Sequence, residues 1–171
     1  MKVLLVIDMQ NDFIDGALGT AEAIDIVDPV VDKVKNFDGK VLFTRDTHQK
    51  NYMETEEGKH LPVPHCIEKT DGWQITDKLL PYIKEEPFNK VTFGSVELES
   101  YMKDLAAKEN IESITLIGLC TDICVISNAL LMKANFPNIP IYVEEKLCAG
   151  VVPESHNRAI EAMKMCQIDI I

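Results

Sequence analysis

The stretch Ser113–Leu131, SITLIGLCTDICVISNALL, carries the side chain best placed for covalent chemistry. Its apolar run Ile114-Thr115-Leu116-Ile117 turns at Gly118-Leu119-Cys120 and continues as a helical run from Asp122. This predicts Cys124 in the first turn of a helix at the carboxyl end of a buried strand, where open α/β sheets bind ligands. Unpaired N–H groups and the positive end of the helix dipole favour thiolate there. The same N–H groups can hold an oxyanion once sulfur has attacked a carbonyl. Cys124 is therefore the candidate nucleophile. Asp8 ends the first apolar run, and Lys90 lies in Phe88-Asn89-Lys90-Val91-Thr92-Phe93. A carboxylate beside a thiol can take its proton, and a buried ammonium stabilises both negative groups. Taken singly, each has a plainer reading: Asp8 as a turn cap, Lys90 as surface charge, Cys124 as core.

A second group has metal-ligating types. Asp46 and His48 stand two apart at the end of the run Lys40–Thr44, so their side chains can point to the same side. His65 follows across a polar stretch, next to prolines that stiffen its approach. One carboxylate and two imidazoles suit a divalent ion with open positions. The plainer alternative is a solvated loop with incidental histidines.

The elements that must position these groups alternate. Val3–Ile7 reads as a central parallel strand. Ala21–Val34 has helical spacing that Pro29 kinks or restarts, with Asp28 as a cap. Lys40–Thr44 is a second strand. Gln49–Gly72 is too long for a plain connection, which marks it as functional. A helix is predicted over Trp73–Ile83, an edge-like piece over Phe88–Phe93, and a helix over Val96–Ala107 capped by Ser95. Then come the central strand with its Cys124 helix, a strand over Ile139–Val143, a helix over Ser155–Met165 capped by Ser155, and a final strand over Ile168–Ile171. The alternation predicts an α/β fold: a doubly wound, mostly parallel sheet of about six strands with helices on both faces.

The 171 residues suit one domain spanning 1–171. No apolar run approaches the roughly 20 residues of a membrane span, and the N-terminal run is too short for a signal peptide. Lys+Arg 17 against Asp+Glu 28 gives a net charge of −11, which argues against nucleic acid or anionic membrane as partners. Five cysteines without a C-x-x-C pair argue against a disulfide framework and for a reducing cytoplasm.

Taken together, the segments resemble the isochorismatase-like cysteine hydrolases, within them the nicotinamidase and pyrazinamidase branch. The resemblance rests on Val6-Ile7-Asp8-Met9-Gln10-Asn11-Asp12-Phe13, Thr44-Arg45-Asp46-Thr47-His48, Pro64-His65-Cys66, Lys90-Val91-Thr92-Phe93-Gly94-Ser95 and Gly118-Leu119-Cys120-Thr121-Asp122-Ile123-Cys124-Val125, in that order. It implies a triad of Asp8, Lys90 and Cys124 and a cis Leu119–Cys120 bond. It also implies an oxyanion hole from the N–H groups of Cys120 and Cys124, with Phe13 as a wall of the substrate pocket. The expected reaction is hydrolysis of a small carboxamide, nicotinamide first, through a thioester. The expected cofactor is a divalent metal, zinc before iron or manganese, held by Asp46, His48, His65 and a glutamate, Glu57 in preference to Glu54. A homo-oligomer, dimer or tetramer, is also implied. Two features depart from the branch. A further histidine after the Asp-x-His pair is missing, and Leu61 stands where a tryptophan is common, with Trp73 beyond the site. The competing expectations are a metal-free member acting on another amide or on isochorismate, and a non-catalytic binding member.

Overall fold

The computed structural model describes all of residues 1–171. Strand β1 (Lys2–Ile7) is buried at five of its six positions, as a strand covered on both faces must be. Helices α1 (Asn11–Ile14), α2 (Ala21–Asp25) and α3 (Val27–Asn36) lead to β2 (Lys40–Asp46). A short helix α4 (Glu56–His60) stands in the long connection before β3 (Phe88–Lys90). Helix α5 (Val96–Ala106), β4 (Ser113–Leu119), α6 (Ile126–Asn135), β5 (Ile141–Ala149), α7 (Pro153–Met165) and β6 (Asp169–Ile170) complete the chain. The six strands form one sheet in the order β3-β2-β1-β4-β5-β6, every pair parallel. This is the doubly wound arrangement the alternation predicts.

Side chains alternate across β1 and divide the core in two. Val3, Leu5 and Ile7 pack with Leu98, Met102, Ala129, Met132, Ile160 and Met163 of α5, α6 and α7. Leu4, Val6 and Met9 pack on the opposite face with Ile14, Val27, Val30 and Val34 of α1 and α3. The winding reverses between β1 and β4, and a crevice opens there at the carboxyl ends of the strands. Gly118 sits at that reversal with φ +115°, and a Cβ on it would meet the Ile7 carbonyl oxygen at 2.1 Å. Only glycine lets β1 and β4 approach this closely.

Several local expectations are corrected. Trp73–Ile83 is not a helix: Ile75 bridges Gln10, Thr76 N–H donates to the Met9 carbonyl, and only Leu80–Tyr82 coils, as a 3₁₀ turn. Its backbone is spent on the β1 exit, which overrides the apolar spacing. The helix expected over Ala21–Val34 is two, broken at Ile26. Thr20 caps the first, while Asp28 and Pro29 lie in the first turn of the second, where proline is tolerated. Helix α7 begins at Pro153, and Ser155 is not its cap but reaches back to Val152 from the third position. The strand expected over Ile139–Val143 extends to Ala149. β2 runs on to Asp46 rather than stopping at Thr44. Cys124 lies in a wide π-type turn, Thr121–Val125, that precedes α6, so the helix proper begins after the thiol.

Candidate active site

Each reactive group leaves the end of a different strand. Asp8 follows β1, Lys90 closes β3, and Cys124 lies in the turn after β4; none is more than 4% exposed. Lys90 Nζ lies 2.6 Å from Asp8 Oδ2, 3.2 Å from Asp46 Oδ1 and 3.4 Å from Cys124 Sγ. It also donates to the Thr92 carbonyl at 3.2 Å. The contact with Asp8 Oδ2 is an ion pair without good hydrogen-bond alignment, so that oxygen keeps acceptor capacity. Asp8 Oδ1 accepts from the Thr44 hydroxyl at 2.7 Å, and the Asp8 N–H donates back to Thr44 Oγ1 at 3.2 Å. These bonds hold Asp8 at φ 46°, a left-handed conformation uncommon outside glycine.

Burial decides the charge states. It pushes the Cys124 thiol well above its usual range, against the attraction of Lys90, and the nearby Asp8 adds to the push. The expected resting thiolate is therefore corrected: desolvation of the anion outweighs the single ammonium. Burial also raises Asp8, opposed by Lys90 and assisted by Asp46. Burial alone would neutralise Lys90, but the carboxylates of Asp8 and Asp46 around it raise its pKa well above the usual value, so it stays charged.

Beside this trio, the ligand atoms of Asp46, His48, Glu57 and His65 all lie within 4.8 Å of one another. His48 Nε2 is 2.9 Å from Asp46 Oδ2 and 3.6 Å from Glu57 Oε1. His65 Nε2 is 3.6 Å and 3.7 Å from the same two oxygens. His48 Nε2 is buried and makes no hydrogen bond. His65 Nδ1 donates to the Val63 carbonyl at 2.8 Å, which leaves Nε2 with its lone pair toward the cluster. Two imidazole nitrogens and two carboxylates aimed at one point, one nitrogen an orphan, fit a divalent ion. His48, His65 and Lys90 hold the Asp46 carboxyl well below its usual range despite its burial. Glu54 is exposed in a 3₁₀ turn and takes no part; Glu57, on α4, does.

Sequence reasoning missed the residues that hold these groups in place. Gln10 accepts from the Asp46 N–H at 2.7 Å and donates to the Asp46 and Trp73 carbonyls at 2.8 and 2.9 Å. Asp12 accepts from the Cys66 N–H at 2.7 Å, anchoring the chain just past His65. Tyr52 packs edge-on against His48 and His65 at centroid distances of 4.7 and 5.1 Å, and its hydroxyl donates to the Leu61 carbonyl. Asn128 donates to the Cys124 and Phe93 carbonyls and accepts from Ser95 N–H, tying the Lys90 segment to the thiol turn. His156 is half-buried, with Nδ1 2.8 Å from Thr121 Oγ1 in the same turn. A signal existed for two of them: Gln10 and Asp12 follow Asp8 at spacings of two, directly after an apolar strand.

Cys124, Cys120, Asp46, Glu57 and His65 border one cavity of about 710 Å³, and Phe13 forms a wall of it, its ring centroid 5.5 Å from that of His65. Leu61 also lines it. Trp73 does not; its indole donates to Thr47 Oγ1 and lies under the Arg45 guanidinium. His60 reaches the cavity rim, while Cys66 is a packed thiol with no exposure. The Leu119–Cys120 peptide bond is cis, and the Cys120 N–H beyond it has no backbone acceptor.

A reversed α/β sheet with an acid, an amine and a thiol meeting at its switch point defines a class of fold and site that comparison with known proteins narrows. The family model for the isochorismatase domain matches residues 2–171, and the chain belongs to that family. Among curated relatives, an isochorismatase family protein, PncA, of Bacillus subtilis is 30% identical, over 93% of this chain and 92% of that protein. A nicotinamidase of Schizosaccharomyces pombe is 24% identical over 98% of this chain and 91% of its own length. The crystal structure of a pyrazinamidase of Pyrococcus horikoshii in complex with zinc superposes with a TM-score of 0.81 at 25% identity, covering 99% of this chain and 98% of that one. That of nicotinamidase PncA from Bacillus subtilis gives 0.76 at 26% identity, with the same coverage.

Proposed function

We propose that this chain is a metal-dependent cysteine amidase that hydrolyses a small carboxamide, nicotinamide before others, to the acid and ammonia. The observation that carries the reading is the buried Lys90 ammonium in simultaneous contact with Asp8, Asp46 and Cys124. It joins a candidate nucleophile to a candidate ion site on the wall of one cavity.

The steps follow from the charge states. Asp8 takes the Cys124 proton as sulfur attacks the carboxamide carbon, while Lys90 offsets the negative charge on both. The oxygen of the tetrahedral adduct accepts from the N–H groups of Cys120 and Cys124, each donor worth about 3 kcal/mol by the usual cost of deleting one. Asp8 then gives its proton to the departing nitrogen, ammonia leaves, and a thioester remains. With Asp8 again as base, water attacks the thioester; the acid departs and the proton returns to sulfur. Asp46, His48, Glu57 and His65 would hold the divalent ion, which when bound supplies a Lewis-acidic anchor for a donor atom of the substrate. Imidazole and carboxylate donors favour zinc, and the zinc complex of the Pyrococcus relative supports that choice. Five free thiols and no disulfide support a reducing, cytoplasmic setting, in which the reaction would serve NAD salvage. Exposed Val91 and Val96 offer apolar surface for a homo-oligomer.

Ammonia release from nicotinamide by the metal-supplied protein tests the reading. The wild type turns over, and Cys124→Ala keeps the fold with activity lowered at least about a thousand-fold, as nucleophile deletions do. Appreciable ammonia from Cys124→Ala would remove the thioester step.

A further inference from the structure

The cavity is larger than the reaction needs. Its volume is about 710 Å³, within the roughly 300–1,000 Å³ that buries drug-sized ligands. A one-ring carboxamide with its carbonyl at Cys124 and its ring beside Phe13 occupies only part of that volume. Leu18, Leu61, Phe93 and Val151 line the same cavity. Leu61, Phe93 and Val151 are 36%, 41% and 49% exposed, so this part of the lining is apolar surface left in water. Covering it is favourable in proportion to the area removed from solvent. The charged residues on the lining are Asp46, Glu56 and Glu57 with the two histidines His60 and His65; no lysine or arginine is among them. With a divalent ion offsetting Asp46 and Glu57, Glu56 is the remaining acid on the lining, and an anionic group beside it would meet like charge.

We infer that the substrate class extends beyond a one-ring amide. The preferred carboxamide carries an uncharged apolar extension on the ring side, a fused second ring or short alkyl group, that lies against Leu18 and Leu61. The inference rests on the amidase reading for the position of the carbonyl, and binding can be measured apart from turnover.

The test compares nicotinamide, quinoline-3-carboxamide and a ring-carboxylated pyridine carboxamide, on the metal-supplied full chain and on its Cys124→Ala variant. By calorimetry on Cys124→Ala, the quinoline amide binds roughly ten-fold or more tightly than nicotinamide, the scale of an added apolar group in a fitting pocket. The carboxylated amide binds more weakly than either. Leu61→Ser, checked by its melting temperature, lowers the quinoline-to-nicotinamide ratio of kcat/KM by roughly ten-fold. Wild-type turnover of nicotinamide with no tighter binding of the quinoline amide overturns the inference and leaves the amidase reading standing. Tighter binding of the quinoline amide without turnover of either sustains the apolar extension and removes the amidase reading. Absence of binding by both amides, with no turnover of either by the wild type, overturns the two together.

Discussion

Lys90 places one positive charge among three groups that can each be negative, Asp8 at 2.6 Å, Asp46 at 3.2 Å and Cys124 at 3.4 Å. Burial outweighs that one charge and the two carboxylates add to the push, so the thiol beside them rests protonated and must hand its proton to Asp8 during attack. Removing one partner of a buried pair leaves an uncompensated charge at a cost of about 3–5 kcal/mol. Lys90→Met keeps the length and apolar stem but leaves Asp8 and Asp46 facing each other without a cation. Its melting temperature should fall by about 6–20 °C, taking 2–4 °C per kcal/mol for a chain of this size, and ammonia release should drop with it. A Lys90→Met protein that melts with the wild type would show that the ammonium is not the compensating charge here. The three side chains were individually legible as chemical types at strand ends. Their charge states were not, because desolvation depends on what closes over them. The outer side of the Cys124 turn, for example, is packed by α7, with His156 meeting Thr121.

At the scale of elements, the short stretch after β1 acts as a clamp on its neighbours. Gln10 serves as an extra pairing partner for the end of β2, taking the Asp46 N–H and supplying donors to the Asp46 and Trp73 carbonyls. Gln10→Ala would orphan these buried groups at about 1–3 kcal/mol each and free the backbone that aims Asp46. The expected result is weaker metal affinity by about 10–100-fold, the usual effect of deleting a partner that orients a ligand, read by titration with zinc. Unchanged affinity in a folded Gln10→Ala protein would mean that β2 alone fixes Asp46. The spacing of Asp8, Gln10 and Asp12 stood in the sequence, but Asp8 meets Thr44 36 residues away, Gln10 meets Asp46 and Trp73 at 36 and 63, and Asp12 meets Cys66 at 54, beyond any local pattern. The same remoteness explains the misread helix at Trp73–Ile83. Its apolar period is real, yet its Thr76 N–H goes to the Met9 carbonyl and its Ile75 pairs with Gln10. The metal set was legible in Asp46-Thr47-His48 and His65. The preference for Glu57 over Glu54 has its physical reason in α4 and the 3₁₀ turn before it, which set which glutamate turns inward.

For the whole molecule, the alternation of apolar runs and helical periods in the sequence sufficed for a parallel sheet with two covered faces. The strand order, and so the place of the switch point, rests on non-local pairings such as Ile7 with Gly118. Two global consequences follow from what the fold buries. Cys148 at the end of β5 is pushed by burial from an ordinary 9.0 up to about 12, despite a backbone hydrogen bond with Gly118. The unfolded chain loses this proton near pH 9 while the folded chain keeps it, so the thiol favours the fold only below that pH. Stability should decline from pH 9 toward 12 by about 1.4 kcal/mol per unit from this thiol; Cys148→Ala should lower the slope of that part of a melting-temperature profile by this share, with the buried thiols Cys66, Cys120 and Cys124 keeping theirs, and an unchanged slope would assign the loss elsewhere. The second consequence concerns the ion. In a chain of net charge −11, the fold converges Asp46 and Glu57 on one point between two imidazoles. A ligand bound only by the folded state adds about 2.7 kcal/mol at a hundred times its Kd. For a domain of this size that corresponds to about 5–11 °C in melting temperature. Chelation with EDTA should therefore lower the wild-type melting temperature by that amount, and zinc should restore it. His48→Ala, lacking the imidazole whose Nε2 is an orphan in the fold, should melt at nearly the same temperature with and without chelator. Equal melting of wild-type protein in zinc and in EDTA would mean that the four side chains hold no ion, and Asp46 would then be a structural partner of Lys90 alone.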